Sequence, residues 1–257
     1  MKERVLSGIV YAALILSAVA LGGWYFVGII GFMAIVCAYE FAKMMKDKGH
    51  TDNIIFVILG VVFIVLGMSV FDYVFSYPVV VILPLAAIMY REMRRQDGSL
   101  ESGLVAWAGL LYLGLGFGSL MTLEVYNWLI CLFAFLITVA TDCGAFFVGC
   151  AIGKHKLMPR VSPKKSVEGA VGGILICVLA CLTYNHFLLT LNTWQVVAIA
   201  VFCSLMGQLG DLLESFIKRY AGVKDSGNIM PGHGGLFDRL DSMMLVAPVL
   251  FFLLRIF

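Results

Sequence analysis

Residues 1–23, MKERVLSGIVYAALILSAVALGG, combine a basic start with a long apolar run. This pattern also opens secretory signal peptides, with Ala18-Val19-Ala20 as the corresponding cleavage site. A second apolar run follows at once over residues 23–45, so cleavage would release no soluble product. We therefore interpret the stretch as a retained first transmembrane helix, with a second helix directly behind it.

The rest of the chain continues in the same way. Of its 257 residues, 61% are hydrophobic and 13% are charged, which is more apolar surface than a soluble core consumes. Strands of a transmembrane β-barrel would be short and alternating, whereas these runs are long and continuous. We predict an all-α, polytopic integral membrane protein with about nine transmembrane helices, each near the roughly 20 residues that cross a bilayer. The predicted spans are 5–21, 23–45, 53–70, 73–90, 103–123, 127–149, 169–190, 194–217 and 238–256.

The distribution of positive charge predicts the orientation. With nine spans and a cytoplasmic N-terminus, all of the 18 lysines and arginines except Arg255 fall on the cytoplasmic side. Eight spans would divide the basic residues between the two sides. The cytoplasmic loops are also the longer and more polar ones. We therefore expect a multi-pass protein of the cell's cytoplasmic (inner) membrane, with its active site facing the cytoplasm.

The polar residues divide the chain into two regions. Residues 1–126 are predicted to be an N-terminal transmembrane scaffold. Residues 127–257 are predicted to be the catalytic transmembrane region, with cytoplasmic loops at 150–168 and 218–237. The seven cysteines lie in or beside apolar runs without the spacing of a metal site, so we interpret them as small buried hydrophobes.

Carboxylates inside apolar spans are costly and point to function. Asp211 and Glu214 are three residues apart, as are Asp238 and Asp241, so two neighbouring helices each present a pair at similar depth. Asp142 adds an acid between small residues. Oxygen ligands of this kind suit Mg²⁺. The predicted metal ligands are Asp142, Asp211, Asp238 and Asp241; the structural alternative is pairing with Lys218, Arg219 or Arg239.

One further acid and two polar segments complete the pattern. Glu40 lies one turn before Lys43, and the sequence leaves open whether it serves an ion pair or the site. Residues 153–169 carry several basic and hydroxyl side chains. The stretch PGHGG at 231–235 can direct backbone N–H groups at an anion. Anion-binding groups beside metal ligands are what phosphoryl or nucleotidyl transfer requires.

Residues 215–241, SFIKRYAGVKDSGNIMPGHGGLFDRLD, resemble the signature of the phosphatidate cytidylyltransferases, also called CDP-diacylglycerol synthases. The segments TDCGAFFVG at 141–149 and GDLLESFIKR at 210–219 resemble further parts of that family. Met230 stands where the family more often has Ile or Leu, which is a conservative apolar change, and Cys143 stands where Thr is more common, with no evident chemical consequence. The resemblance covers residues 141–241, while the first half of the chain is similar in hydropathy and length.

The resemblance implies the transfer of a cytidylyl group from CTP to phosphatidate, which gives CDP-diacylglycerol and pyrophosphate in phospholipid biosynthesis. It also implies Mg²⁺, a second, monovalent cation such as K⁺, a cavity open to membrane lipid, and a homodimer; no nucleic acid is expected. The predicted catalytic residues are Asp211, Asp238, Asp241, His233, Lys218 and Arg219. The predicted substrate-binding residues are Ser162, Lys164, Lys165, Lys224, Gly234, Gly235 and Arg239.

Two other functions use similar residues. A membrane transferase that acts on polyprenyl phosphate and a sugar nucleotide would also need carboxylates, Mg²⁺ and basic loops. A secondary transporter would place ionisable residues at the membrane midplane, with polar access from both faces. The predicted spans instead gather the ionisable residues on one side, which favours an enzyme.

Overall fold

The protein is an α-helical bundle in which one short β-hairpin interrupts the helices. The computed structural model describes residues 2–70, 73–229 and 234–257. His233, a predicted catalytic residue, therefore lies outside the described residues. In chain order the elements are α1 Lys2–Leu21, α2 Gly23–Lys48, α3 Ile54–Val70, α4 Tyr73–Arg94, α5 Leu100–Tyr126, α6 Trp128–Ile152, β1 Lys156–Met158, β2 Ser162–Ser166, α7 Val167–Leu188, α8 Thr193–Ala221, α9 Phe237–Leu240 and α10 Met243–Ile256.

The helices lie where the apolar runs predicted them, and the all-α class is confirmed. Five of the described helices are long and apolar enough to cross a membrane. These are α2, α5, α6, α7 and α8. The described parts Ser7–Leu21 and Ile54–Met68 form shorter apolar helices. The structure thus supports a polytopic protein, while the number nine and the orientation stay predictions.

The outside of the bundle is apolar, as a lipid-facing surface must be. Phe32, Leu59, Leu175 and Phe202 come from four different helices and are each more than half exposed. Soluble proteins rarely expose large apolar side chains over a continuous surface of this kind. The exposed faces therefore agree with the composition in indicating a bilayer environment.

Polar side chains define where several helices begin and end. The Ser99 and Ser166 hydroxyls accept hydrogen bonds from backbone N–H groups in the first turns of α5 and α7. Asn127 ends α5 and at the same time caps α6. At the end of α8, Gly222 takes a left-handed conformation with φ of 76°, which glycine adopts without strain. These local signals place the loops that carry the site.

Small residues let α5 lie at the centre of the bundle, where it packs against α2, α3, α4 and α10. A Cβ atom on Gly116 would lie 2.8 Å from the Met244 Cα, and one on Gly114 would lie 2.8 Å from Ile64 Cδ1. Close approach of this kind is how membrane helices associate in the absence of a hydrophobic driving force. The result is a rigid centre beneath the polar end of the molecule.

The last predicted span, 238–256, is divided into α9 and α10 at Asp241 and Ser242. The Tyr112 hydroxyl donates a hydrogen bond to the Asp241 carbonyl oxygen at 2.9 Å, so the break does not leave that oxygen unpaired. Gly210 of α8 permits the approach, because a Cβ atom there would lie 2.7 Å from the same oxygen. Pro248 lies inside α10 and does not end it.

Candidate active site

The predicted site residues that the structure describes gather at one end of the bundle. We call it the basic end, because α2 and α8 finish there with Lys46, Lys48, Lys218 and Arg219 in their last turns. The β-hairpin and the segment that joins α8 to α9 lie at the same end. Helix ends and their connections therefore bring together residues that are far apart in the sequence.

The β-hairpin is a departure from the predicted loop at 150–168. Its strands pair antiparallel, with Lys156 opposite Ser166 and Met158 opposite Ser162. The Glu168 carboxylate holds the base of the hairpin, since it accepts hydrogen bonds from the Lys154 N–H at 3.1 Å and the His155 N–H at 3.2 Å. This arrangement gives the basic segment a fixed shape that a flexible loop would lack.

The hairpin directs the side chains of the neighbouring residues Lys164 and Lys165 to opposite sides. Successive residues of a strand point to opposite sides. Lys164 is exposed, whereas Lys165 is half-buried and its Nζ lies 2.5 Å from Asp211 Oδ2. The other Asp211 oxygen accepts a hydrogen bond from Ser215 at 3.5 Å. Of the two predicted substrate-binding lysines, Lys165 thus enters the carboxylate cluster and Lys164 faces outward.

Lys218 is placed between two carboxylates. Its Nζ lies 2.6 Å from Glu214 Oε2, one turn back on α8, and 2.5 Å from Asp238 Oδ1 on α9. The exposed fractions of the three side chains are 13% for Lys218, 0% for Glu214 and 6% for Asp238. Removing one partner of such a buried group leaves an uncompensated charge, which is strongly destabilising. The structural alternative for Asp238, pairing with Lys218, is therefore present.

The second oxygen of Asp238 organises the segment before α9. Asp238 Oδ2 accepts hydrogen bonds from the Ser226 N–H at 3.0 Å, the Ser226 hydroxyl at 3.1 Å and the Gly235 N–H at 2.8 Å. Gly234 has φ of +84°, a left-handed conformation that L side chains rarely adopt. In this structure the predicted anion donor at Gly235 is directed to Asp238.

Glu40 belongs to this network, which the sequence left open. Its side chain is 2% exposed, and it accepts hydrogen bonds from the Leu236 N–H at 3.1 Å, the Phe237 N–H at 2.9 Å and the Ser226 hydroxyl at 3.1 Å. The bonds join α2 to the start of α9 across 196 and 197 residues of sequence. No pattern in the sequence around Glu40 predicts such a contact. Glu40 and Ser226 are thus functional candidates that sequence reasoning did not select.

Asp142, Asp211 and Asp241 lie near one another, close to the break between α9 and α10. Asp241 accepts a hydrogen bond from the Ser242 N–H at 2.6 Å, and it lies within electrostatic range of Asp211 and Asp142. Asp142 is on an exposed part of α6. Within the described part of the chain, no group of three or more His, Cys, Asp or Glu side chains is arranged to hold a metal ion. The predicted metal ligands are therefore neighbours without forming a closed site.

The remaining predicted residues lie on the exposed rim of the basic end. Lys224 and Arg239 are exposed, and Ser162 at the start of β2 is half-buried. The guanidinium of Arg219 donates a hydrogen bond to the Val223 carbonyl oxygen at 3.3 Å, which helps to hold the turn after α8. With Lys164, these side chains add exposed positive charge and a hydroxyl group to the basic end.

Known proteins are similar in sequence to this chain over its whole length. The model of the cytidylyltransferase family matches residues 2–257. The chain is 34% identical over 257 residues to a phosphatidate cytidylyltransferase of Staphylococcus haemolyticus (strain JCSC1435), covering 99% of each protein. It is 36% identical over 266 residues to one of Bacillus subtilis (strain 168), covering 100% of this chain and 98% of that protein. The similarity thus includes the first half, where sequence analysis found it only in hydropathy and length. This chain belongs to the cytidylyltransferase family.

Proposed function

We propose that the protein is a phosphatidate cytidylyltransferase of the cell membrane, which uses CTP and phosphatidate and forms CDP-diacylglycerol and pyrophosphate. The observation that carries the proposal is the pair of half-buried ammonium groups of Lys165 and Lys218, which are set among carboxylates at one end of a membrane bundle. This end also carries the signature segment. The proposal requires that a nucleotide from the aqueous side and a lipid from the bilayer both reach this position.

The reaction joins two highly negative groups. An oxygen of the phosphatidate phosphate attacks the α-phosphorus of CTP, a P–O bond forms, and the bond to the β-phosphate breaks as pyrophosphate leaves. The attacking phosphate is already an anion near neutral pH, so the reaction needs no strong general base. Positioning and neutralisation of charge dominate catalysis in this class of reaction. Lys165 and Lys218 are paired with carboxylates in this structure, so they would supply that charge together with a magnesium ion held by those carboxylates. Lys164, Arg219 and Arg239 add positive charge at the rim.

The donor set fits a magnesium ion in part. Asp142, Asp211 and Asp241 offer the oxygen ligands that Mg²⁺ prefers, and buried Glu214, three residues after Asp211, has one carboxylate oxygen, Oε1, without a hydrogen-bond partner among the described residues. We infer that these acids hold the ion. Asp211 and Asp238 already have partners on both carboxylate oxygens, so each would bind the ion in place of its contact with Lys165 or Lys218. When bound, Mg²⁺ stabilises charge on the phosphates and on the leaving pyrophosphate.

Orientation, the second cation and oligomeric state complete the proposal. The distribution of lysine and arginine supports a basic end that faces the cytoplasm. A monovalent cation such as K⁺ and a homodimer follow from the resemblance to the family. Val139, Phe146 and Phe147 form an exposed apolar face on α6 beside Asp142, which suits contact with lipid or with a second copy.

The proposed function is tested with purified protein in mixed lipid–detergent micelles. Radiolabelled CTP and phosphatidate should yield labelled CDP-diacylglycerol in the presence of Mg²⁺, and chelation with EDTA should abolish the product until Mg²⁺ is restored. Turnover that is unaffected by EDTA would contradict the assignment of the carboxylates. Turnover of polyprenyl phosphate with a UDP-sugar, or solute uptake into liposomes without nucleotide turnover, would support the two other functions instead.

A further inference from the structure

A cavity of about 460 Å³ opens at the basic end beside the carboxylate cluster. It lies between the last turns of α2 and the segment that follows α8, residues 223–229. Its walls include the aromatic ring of Tyr39, the charged groups of Lys43, Asp47 and Asp225, and the side chain of Asn228. The volume is in the range of about 300–1,000 Å³ that is typical of small-molecule sites. None of the residues predicted to bind substrate or metal lines it.

The charges around this cavity do not suit a phosphate group. Lys43 is the single basic residue among its described lining residues, and it is opposed by Asp47, Asp225 and the buried carboxylate of Glu40. Like charges that face each other cost energy, so a triphosphate would be repelled here. The phosphate-binding cations, Lys165 and Lys218, belong to the neighbouring cluster.

The lining instead suits a flat, uncharged group that carries hydrogen-bond donors. Tyr39 is 41% exposed and borders the cavity, and the Lys43 Nζ lies over its ring at 6.0 Å from the ring centre, so a base would stack on the ring beside or in place of that ammonium group. Asp47 and Asp225 are acceptors for amino or hydroxyl groups, and Asn228 both donates and accepts. A pyrimidine base with an exocyclic amine, joined to a ribose with two hydroxyls, has this combination of a ring face and donors.

The cavity is connected to the cluster through one residue. Ser226 lines the cavity, and it also donates its N–H and its hydroxyl to Asp238, whose other oxygen contacts Lys218. Ser226 and the Asp238 side chain therefore lie between a molecule in the cavity and the ammonium group of Lys218. The phosphates of a bound nucleotide would have to extend past these two residues to reach the lysines.

We propose that this cavity binds the nucleoside part of the nucleotide substrate, with the pyrimidine base stacked on Tyr39 and the phosphates directed to the lysines of the cluster. The inference rests on the proposed function, since it takes a cytidine nucleotide as the substrate. It assigns a role to the end of α2, which the signature segment does not include.

Kinetics of purified full-length protein test this inference. Tyr39→Ala removes the stacking face and should raise the KM for CTP about tenfold or more, because base–aromatic stacking contributes substantially to nucleotide binding. The KM for phosphatidate should stay within about twofold. Tyr39→Phe retains the ring and should restore the KM for CTP. Tyr25→Ala, the same change at the opposite end of α2, is the matched control and should behave as wild type.

Two results would overturn the inference. One is an unchanged KM for CTP in Tyr39→Ala, or an equal rise for both substrates, which would indicate general damage to the fold. The other is loss of CTP affinity in Lys43→Gln but not in Tyr39→Ala, because the cavity would then hold phosphates. Wild-type protein that forms no CDP-diacylglycerol would overturn the proposed function separately. If the wild type is inactive, equilibrium binding of radiolabelled CTP tests the cavity instead. Equal CTP binding by wild type and Tyr39→Ala, or no binding by either, would reject the inference.

Discussion

Single side chains at the basic end make structural contacts that their neighbours in the sequence do not make. Asp238 and Glu40 both accept hydrogen bonds from Ser226, and each also binds backbone N–H groups between Gly235 and Phe237. Two carboxylates, one on α9 and one on α2, therefore hold the same segment from opposite sides. The segment carries part of the signature, so its shape depends on a residue far outside the signature.

Glu40 gives a prediction at this scale. Glu40→Ala leaves the buried N–H groups of Leu236 and Phe237 without acceptors, at a cost of about 1–3 kcal/mol each. We expect lower stability in chemical denaturation, faster proteolysis within residues 222–237, and reduced turnover. Glu40→Gln keeps one acceptor oxygen and should give an intermediate result.

An exposed acid on the same helix provides the control for this experiment. Asp47→Ala lies two turns further along α2 and should change stability by less than about 0.5 kcal/mol, as surface substitutions usually do. If Glu40→Ala were as stable and as resistant to protease as Asp47→Ala, the role of Glu40 in holding this segment would have to be abandoned.

At the scale of elements, the helices follow from the sequence and the hairpin does not. Long apolar runs and polar caps such as Ser99 and Asn127 define helices without reference to the rest of the chain. The two strands are three and five residues long, and Ser162–Ser166 is rich in lysine and proline, which are uncommon in strands. Contacts outside the strands, such as that between Glu168 and His155, stabilise the hairpin.

The hairpin predicts unequal roles for its lysines. Lys165→Met removes the ammonium group beside Asp211 and should lower kcat/KM about 10²-fold, the loss expected for a group that stabilises transition-state charge. Lys164→Met removes an exposed charge and should have a smaller effect, about tenfold or less, through weaker attraction of the anionic substrates. The ratio of the two losses in kcat/KM compares the contribution of the inward-facing Lys165 with that of the outward-facing Lys164.

A third lysine of the hairpin serves as the control. Lys156→Met in β1 changes the same type of side chain on an exposed position outside the proposed site, and should retain wild-type kcat/KM. Equal losses for the Lys164 and Lys165 variants would mean that the hairpin does not separate them in the working enzyme.

For the whole molecule, the distribution of charge predicts the topology. We expect Lys48→Cys, at the end of α2, to face the cytoplasm and Tyr126→Cys, at the end of α5, to face outward. The background for both has the exposed Cys143 and Cys150 replaced by serine. In intact spheroplasts, a membrane-impermeant maleimide should label the cysteine at 126 and not the one at 48.

Permeabilised spheroplasts give the control for this labelling. Both cysteines should react after permeabilisation, which shows that each is accessible in the folded protein. Labelling of both positions in intact cells, or of position 48 alone, would contradict a cytoplasmic basic end and with it the proposed access for CTP.

The sequence by itself determined the environment of the chain, the positions of its helices and the chemistry at one end. Hydropathy, helix length and helix capping depend on one to twenty consecutive residues. The acids and lysines of the signature segment likewise lie within one loop and the helix turns beside it. The tertiary structure decided which of these groups meet. Lys165 rather than Lys164 contacts Asp211, Lys218 contacts Asp238 across two helices, and Glu40 reaches α9 from the other end of the chain. These contacts depend on how helices pack and on where a strand turns a side chain, and neither is encoded by neighbouring residues alone.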